Sequence, residues 1–193
     1  KKIHNSNNSL IIFGGRWPMY FDNYYISSKY FIDQSFPIKG KPSIRKYSSI
    51  SGKKDLKEEF IKSILKIPKN NKIMLVYPFP EVGWNVPQKL FTSIPKSSDK
   101  DVKEFLLQNK LTIPKTVYDQ RNKSTFDTLN KIGGKNIFRI FPDKILCSEI
   151  EQKCYTHDQN SIFYSDNNHL SYEGAKILNE NIIKKIEELN YLD

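Results

Sequence analysis

The chain has 193 residues, 38% of them hydrophobic and 27% charged, with a mean hydropathy of −0.59; it is long enough for one core of ordinary size and too rich in apolar residues for wholesale disorder. No apolar run approaches the roughly 18 to 20 residues of a bilayer-spanning helix. The formal net charge is +10, but only Arg16, Arg45, Arg121 and Arg139 are arginines. Bidentate phosphate and base recognition favours arginine over lysine, so no nucleic-acid partner is expected.

The cations are unevenly spread. From Lys39 to Lys72 there are eleven cations and three anions, whereas Phe141 to Asp193 carries five cations and ten anions. The basic stretch reads first as a solvated face and second as an electrostatic funnel for acidic substrates or headgroups. The chain opens on Lys1-Lys2-Ile3-His4, with no initiator Met, no apolar h-region and no small-residue cleavage site. No signal peptide is read there, and Lys1 is expected to be a cut inside a longer protein.

In chain order, Ser9-Leu10-Ile11-Ile12-Phe13 is a continuous apolar run stopped by Gly14-Gly15, the pattern of a strand covered on both faces. Tyr20 to Ser49, rich in Tyr, Ser and Pro, predicts irregular structure or an insertion. Leu56, Phe60, Ile61, Ile64 and Leu65 share one helix face, with Ser51 or Asp55 near its start and Pro68 past its end. Lys72 to Tyr77, stopped by Pro78, is a second strand. Val102, Phe105 and Leu106 begin a helix after Ser98-Asp99, and Val117 to Ile132 forms another, ended by Gly133-Gly134. Asn136 to Ile140, closed by Pro142, and Ser161 to Tyr164 bring the candidate parallel strands to four. A last helix is capped by Ser171, with Ala175, Leu178, Ile182, Ile186 and Leu189 on one face. Strands alternating with helices predict an α/β fold, and with no linker in sight a single domain.

Histidine is scarce, so each one is weighed separately: His4, His157 and His169. His4 sits in a polar, Asn-rich stretch and carries no predicted role. His169 follows a predicted strand and precedes the capped helix, the carboxyl end of a strand where open α/β sheets build their sites. Asp166, three residues earlier, can place its carboxylate on Nδ1 of His169. That fixes the tautomer and leaves Nε2 to accept a proton from a nucleophile, two thirds of an acyl-transfer triad. The competing structural reading makes Asp166 and Asn167 turn formers and His169 a polar residue before a helix cap.

The stretch Ile162-Phe163-Tyr164-Ser165-Asp166-Asn167-Asn168-His169-Leu170-Ser171-Tyr172-Glu173-Gly174-Ala175 resembles the closing Asp-x-x-His block of SGNH hydrolases. More narrowly, it resembles the SGNH domain fused behind the acyltransferase-3 membrane domain of bacterial O-antigen and polysaccharide O-acetyltransferases. Ile11-Ile12-Phe13-Gly14-Gly15-Arg16-Trp17 resembles that family's strand ending in Arg-Trp. Tyr77-Pro78-Phe79-Pro80-Glu81-Val82-Gly83-Trp84-Asn85-Val86-Pro87 resembles its Pro-x-Pro-Glu-Val-Gly block, and Leu146-Cys147 with Cys154 its late cysteine pair. The resemblance covers the chain from about Ser9 to its end.

The resemblance implies a three-layer α/β/α sandwich with a mostly parallel sheet, residues 1–193 being the C-terminal part of a single SGNH-like domain that is incomplete on its N-terminal side. It implies His169 as general base and Asp166 as its orienting carboxylate. Such domains open on a Gly-Asp-Ser turn carrying the nucleophile, and this sequence contains no Gly-Asp-Ser; the Ser is therefore expected upstream of Lys1. The usual oxyanion-hole Gly and Asn are not recognisable either. Arg16-Trp17 takes the place of that Asn, with Gly15, Arg16 and Trp17 as candidate oxyanion or substrate-binding residues, and Trp17, Trp84 and the tyrosines are weighed equally as sugar platforms and as core.

Cys147 and Cys154, with six residues between them, suit a disulfide closing a small loop in an oxidising compartment. A zinc site of Cys147, Cys154, His157 and His169 and a pair of inert thiols remain open alternatives. The expected setting is the periplasmic face of the inner membrane, as part of an integral membrane protein. Its partners would be a fused acyltransferase-3 domain and a glycan acceptor, with no metal and no cofactor. An esterase of the same fold and a non-catalytic glycan-binding module are the rival functions.

Overall fold

The computed structural model describes residues 3–21, 56–94 and 99–190. In chain order these form β1 (Leu10–Phe13), α1 (Trp17–Phe21), α2 (Leu56–Leu65), β2 (Lys72–Val76), α3 (Val86–Ser93), α4 (Asp99–Gln108), β3 (Thr112–Pro114), α5 (Lys115–Asn130), β4 (Ile137–Ile140), α6 (Asp143–Leu146), β5 (Cys147–Ser148), β6 (Lys153–Tyr155) and α7 (Tyr172–Glu188). Most of Tyr20 to Ser49, the proposed caps Ser51 and Asp55, and half of the basic stretch lie outside the described residues.

The residues fall into two compact units. The first draws on 3–21, 56–78 and 121–141 and is built on a parallel sheet of order β1-β2-β4. Ile11 pairs with Ile73 and Ile73 with Ile137. The central strand β2 reads as an uninterrupted apolar run because both of its faces are covered: Met74 and Leu75 are fully buried and Ile73 nearly so. Trp17, Ile64, Ile67, Tyr77, Leu129, Ile132 and Ile137 complete the core around it.

Several polar groups inside this unit are paired, as burial demands. Asn71, fully buried, accepts from Ser9 N–H at 3.0 Å and donates to Ser6 O at 2.8 Å and Pro68 O at 2.9 Å, while Asn136 donates to Asn71 O at 2.9 Å. One side chain and its own carbonyl thus tie the segments leading into all three strands. Tyr77 donates to Asn130 Oδ1 at 2.6 Å and accepts from Arg139 Nε at 3.1 Å, and Arg139 also donates to Ile132 O at 2.6 Å.

The second unit, from 79–120 and 142–190, holds an antiparallel sheet of order β3-β6-β5 with α3, α4, α6 and α7. These strands are two or three residues long, too short to show a period, and the sequence reading missed them. Cys147 and Cys154 face each other across β5 and β6 and are joined as a disulfide. The helix α5 begins among residues of this unit and continues into the first.

The fourth predicted parallel strand does not form. Residues 161–164 make only isolated antiparallel bridges, His157 with Ile162 and Tyr164 with Leu170. Their backbone is used elsewhere: Phe163 N–H donates to Thr156 O, and Phe163 O accepts from Ser171 N–H, both at 2.9 Å. Ser171 Oγ donates to Ile162 O at 2.5 Å and accepts from Gly174 N–H at 3.1 Å, so the cap of α7 is also its seam to this segment.

Gly174 permits that seam, because a Cβ there would sit 2.1 Å from Phe163 O. The obstacle is backbone held by two hydrogen bonds, not a side chain able to swing away. Gly174→Ala is expected to cost about 2 to 3 kcal/mol of unfolding free energy, measured by urea denaturation; a change near zero would show that α7 does not need this close approach.

Candidate functional site

The loop between Tyr164 and α7 folds around one carboxylate. Asp166 Oδ1 accepts from the backbone N–H groups of Asn168 and His169, each at 2.7 Å, as an Asp does when it organises a tight turn. Its Oδ2 meets His169 Nδ1 at 2.6 Å. Against an ionised carboxylate, Nδ1 carries the proton, so the opposite ring nitrogen, Nε2, is the basic atom of the neutral imidazole. The His169 side chain is 67% exposed and that of Asp166 36%. Partial burial pushes the Asp166 carboxyl up. The hydrogen bonds from Asn168 and from the ring and N–H of His169, together with the His169 charge, outweigh it and hold the group below its ordinary value.

The segment 79–86 grips this loop from outside. Asn167 O accepts from Val82 N–H at 3.0 Å and Gly83 N–H at 3.3 Å, and Asp166 O accepts from Val86 N–H at 3.2 Å. Two successive N–H groups converge on one carbonyl where Gly83 takes φ 86°, a conformation few side chains tolerate. Val86 opens α3, so its N–H has no partner within the helix, and Asp166 supplies one. Asn85 caps the same turn by accepting from Gln88 N–H at 2.8 Å, and Pro87 has no N–H to satisfy. From the other side the buried Tyr164 donates its phenol to Pro80 O at 2.5 Å. Burial and the nearby Glu81 charge push the Tyr164 phenol well above its usual range, so it is a permanent donor.

The chain matches, over residues 1–184, the family model for the SGNH domain described as fused to AT3 domains. It belongs to that family. No curated protein and no solved structure matches it. The SGNH assignment accords with the α/β fold and with the parallel sheet β1-β2-β4.

Within this SGNH domain, Asp166 and His169 come together in the second unit, whereas Gly15, Arg16 and Trp17 belong to the first. Gly15 is exposed, Arg16 half-buried and Trp17 buried. Trp17 donates its indole N–H to Val76 O at 2.8 Å and packs on Phe21 and Phe60 with ring centroids at 5.6 and 5.1 Å; it serves the core. Trp84 is half-buried with Lys89 Nζ 4.4 Å from its ring centroid.

The disulfide removes the zinc and free-thiol alternatives, since two sulfurs bonded to each other are no longer thiolate ligands. His157 is committed as well: Nε2 accepts from Leu111 N–H at 3.0 Å, so Nδ1 carries the proton and donates to Asp158 O at 2.9 Å. Sequence reasoning also missed a polar cluster in the second unit. There Lys115 bonds both carboxylate oxygens of Asp119, at 2.9 and 3.0 Å, and burial raises the acid Asp143 and the phenol Tyr118 above their ordinary values. The bracing by Val82, Gly83, Val86 and Tyr164 had one legible signal, a block combining Pro78, Pro80 and Gly83, but not its target.

Because the folded Asp166 titrates below the unfolded value of about 3.9, its contribution to stability is complete above that value and is lost as pH falls through the lower folded one. The stability difference between the wild type and Asp166→Asn is therefore expected to shrink as pH drops through the carboxylate range. Paired urea titrations measure it, and a difference independent of pH would contradict the depressed carboxyl.

Proposed function

We propose that this chain is the C-terminal part of a single periplasmic SGNH domain within a membrane-bound O-acyltransferase, and that it carries the base and orienting carboxylate for moving an acetyl-type group onto a sugar hydroxyl. The observation that carries the reading is the contact between Asp166 Oδ2 and His169 Nδ1, at 2.6 Å, on a turn that the same carboxylate organises. Family membership supports the acyltransferase association, the family being described as fused to AT3 domains. No described helix is long and apolar enough to cross a membrane; in this reading the membrane-spanning part belongs to the AT3 domain. The disulfide suits an oxidising compartment.

The chemistry runs in two halves. A Ser hydroxyl attacks the acyl carbonyl of the donor while His169 Nε2 takes its proton and returns it to the departing group, leaving an acyl-Ser ester. The sugar hydroxyl then attacks that ester, His169 takes its proton, and the proton goes back to the Ser oxygen as the ester breaks. Asp166 holds the imidazole in the Nδ1–H tautomer and stabilises the imidazolium formed in each half. The sequence has no Gly-Asp-Ser, so the nucleophile is assigned to a part of the protein outside these residues.

In the intact membrane protein, His169→Ala is expected to lower acylation of the glycan about 10³-fold or more, and Asp166→Asn by about 10² to 10⁴. Acylated glycan and free carboxylic acid are to be measured together. Unchanged acylation by His169→Ala would overturn the reading. Acid release with no glycan product from the wild type would make the domain an esterase.

A further inference from the structure

The second unit contains a pocket of about 570 Å³ apart from the Asp166–His169 turn, lined by the apolar residues Leu106, Leu107, Ile145, Leu146 and Phe163 and by the polar residues Lys110, Tyr155, Asp158, Gln159 and Asn160. Its size lies within the range of about 300 to 1,000 Å³ typical of small-ligand sites, as does an apolar floor with a few placed polar groups.

Its walls are fixed before any ligand arrives. Leu146 and Tyr155 directly follow and flank the bonded cysteines, Leu146 preceding Cys147 and Tyr155 following Cys154, so the disulfide braces the wall they form. His157 lines the same pocket with both ring nitrogens engaged. Asp158 Oδ1 accepts from the backbone N–H groups of Asn160 and Ser161, each at 2.7 Å, and so locks the turn that carries Gln159 and Asn160. The side-chain amides of those two residues make no hydrogen bond among the described residues. The structure thus spends a carboxylate on holding two amides, each a donor and an acceptor, at the rim of an apolar floor.

The charges of the lining are balanced and occupied. Asp158 is committed to its turn, and Lys110 lies 3.9 Å from Glu151 and 5.4 Å from the Tyr155 ring centroid. Such a lining does not select an anion. An acyl chain would fill the floor and leave both amides unused. A neutral sugar ring uses both parts, its C–H face on the apolar floor and its vicinal hydroxyls on the amides. The chain leads from this pocket into the candidate active-site loop through Phe163, which lines the pocket and whose carbonyl receives the Ser171 N–H at the head of α7.

We propose that this pocket is a subsite for a neutral sugar residue of the acceptor polysaccharide, holding the glycan by a unit other than the one acylated. This rests on the acyl-transfer reading above, and binding is the readout that separates the two. The probe is de-O-acetylated O-polysaccharide released from the lipopolysaccharide of the source strain, titrated calorimetrically, without acyl donor, into the intact protein carrying His169→Ala. Binding is expected to survive that change and to weaken about tenfold or more when Gln159→Ala and Asn160→Ala are added. A thermal melt matching that of the His169→Ala parent assigns the loss to the amides. Equal affinity with and without the two amides, or displacement of the polysaccharide by octanoate with no dependence on them, would overturn the sugar assignment. If His169→Ala leaves acylation intact while the amide variants still lose binding, the catalytic reading fails and the subsite stands.

Discussion

The carboxylate of Asp166 holds two backbone N–H groups and one imidazole nitrogen, and the candidate active-site turn takes this form because one group serves all three. With Oδ1 closing the turn and Oδ2 on the ring, His169 is oriented by the residue that shapes its own backbone. Any shift of Asp166 would move the ring and the chain beneath it together. The backbone carbonyls of the same loop are in turn held by Val82, Gly83 and Val86. An exposed histidine on a surface loop is thereby given a fixed direction, which a proton-transferring group needs and side-chain burial is not providing here.

What could be read from the sequence was whatever a local pattern encodes. β1, β2 and β4 announced themselves as short apolar runs ended by Gly or Pro, and α7 by its Ser171 cap and the spacing of Ala175, Leu178, Ile182 and Ile186. Asp166 and His169 were legible because three residues along a turn bring two side chains together without help from the rest of the fold. The run Ser161 to Tyr164 failed for a related reason: it has the composition of a strand, but its hydrogen-bonding groups are claimed by Thr156 and Ser171, one of them seven and the other eight residues from Phe163. No period in a window of four residues reports that competition. The sheet β3-β6-β5 was equally hidden, since a two-residue strand has no alternation to detect, although the cysteines that join two of its strands were conspicuous.

The charge distribution supports the same division between pattern and context. A net charge of +10 pointed outward to a polyanion until the kind of cation was considered. Among the described residues some lysines sit in local pairs, Lys123 with Asp127, Lys144 with Glu149 and Lys185 with Glu188. Exposed pairs of this sort contribute little to stability.

The two tryptophans of the chain fall one to each compact unit, Trp17 in the first and Trp84 in the second. Their surroundings differ: Trp17 is sealed among Phe21 and Phe60 with its N–H on a backbone carbonyl, whereas Trp84 is half-buried beside the Lys89 ammonium. The molecule therefore has a built-in pair of optical reporters. The indole inside the parallel-sheet core is expected to emit at shorter wavelength than the one on the segment gripping the Asp166 turn. Intrinsic fluorescence can follow the scaffold and the brace of the Asp166 turn as separate signals in one sample, with no label attached.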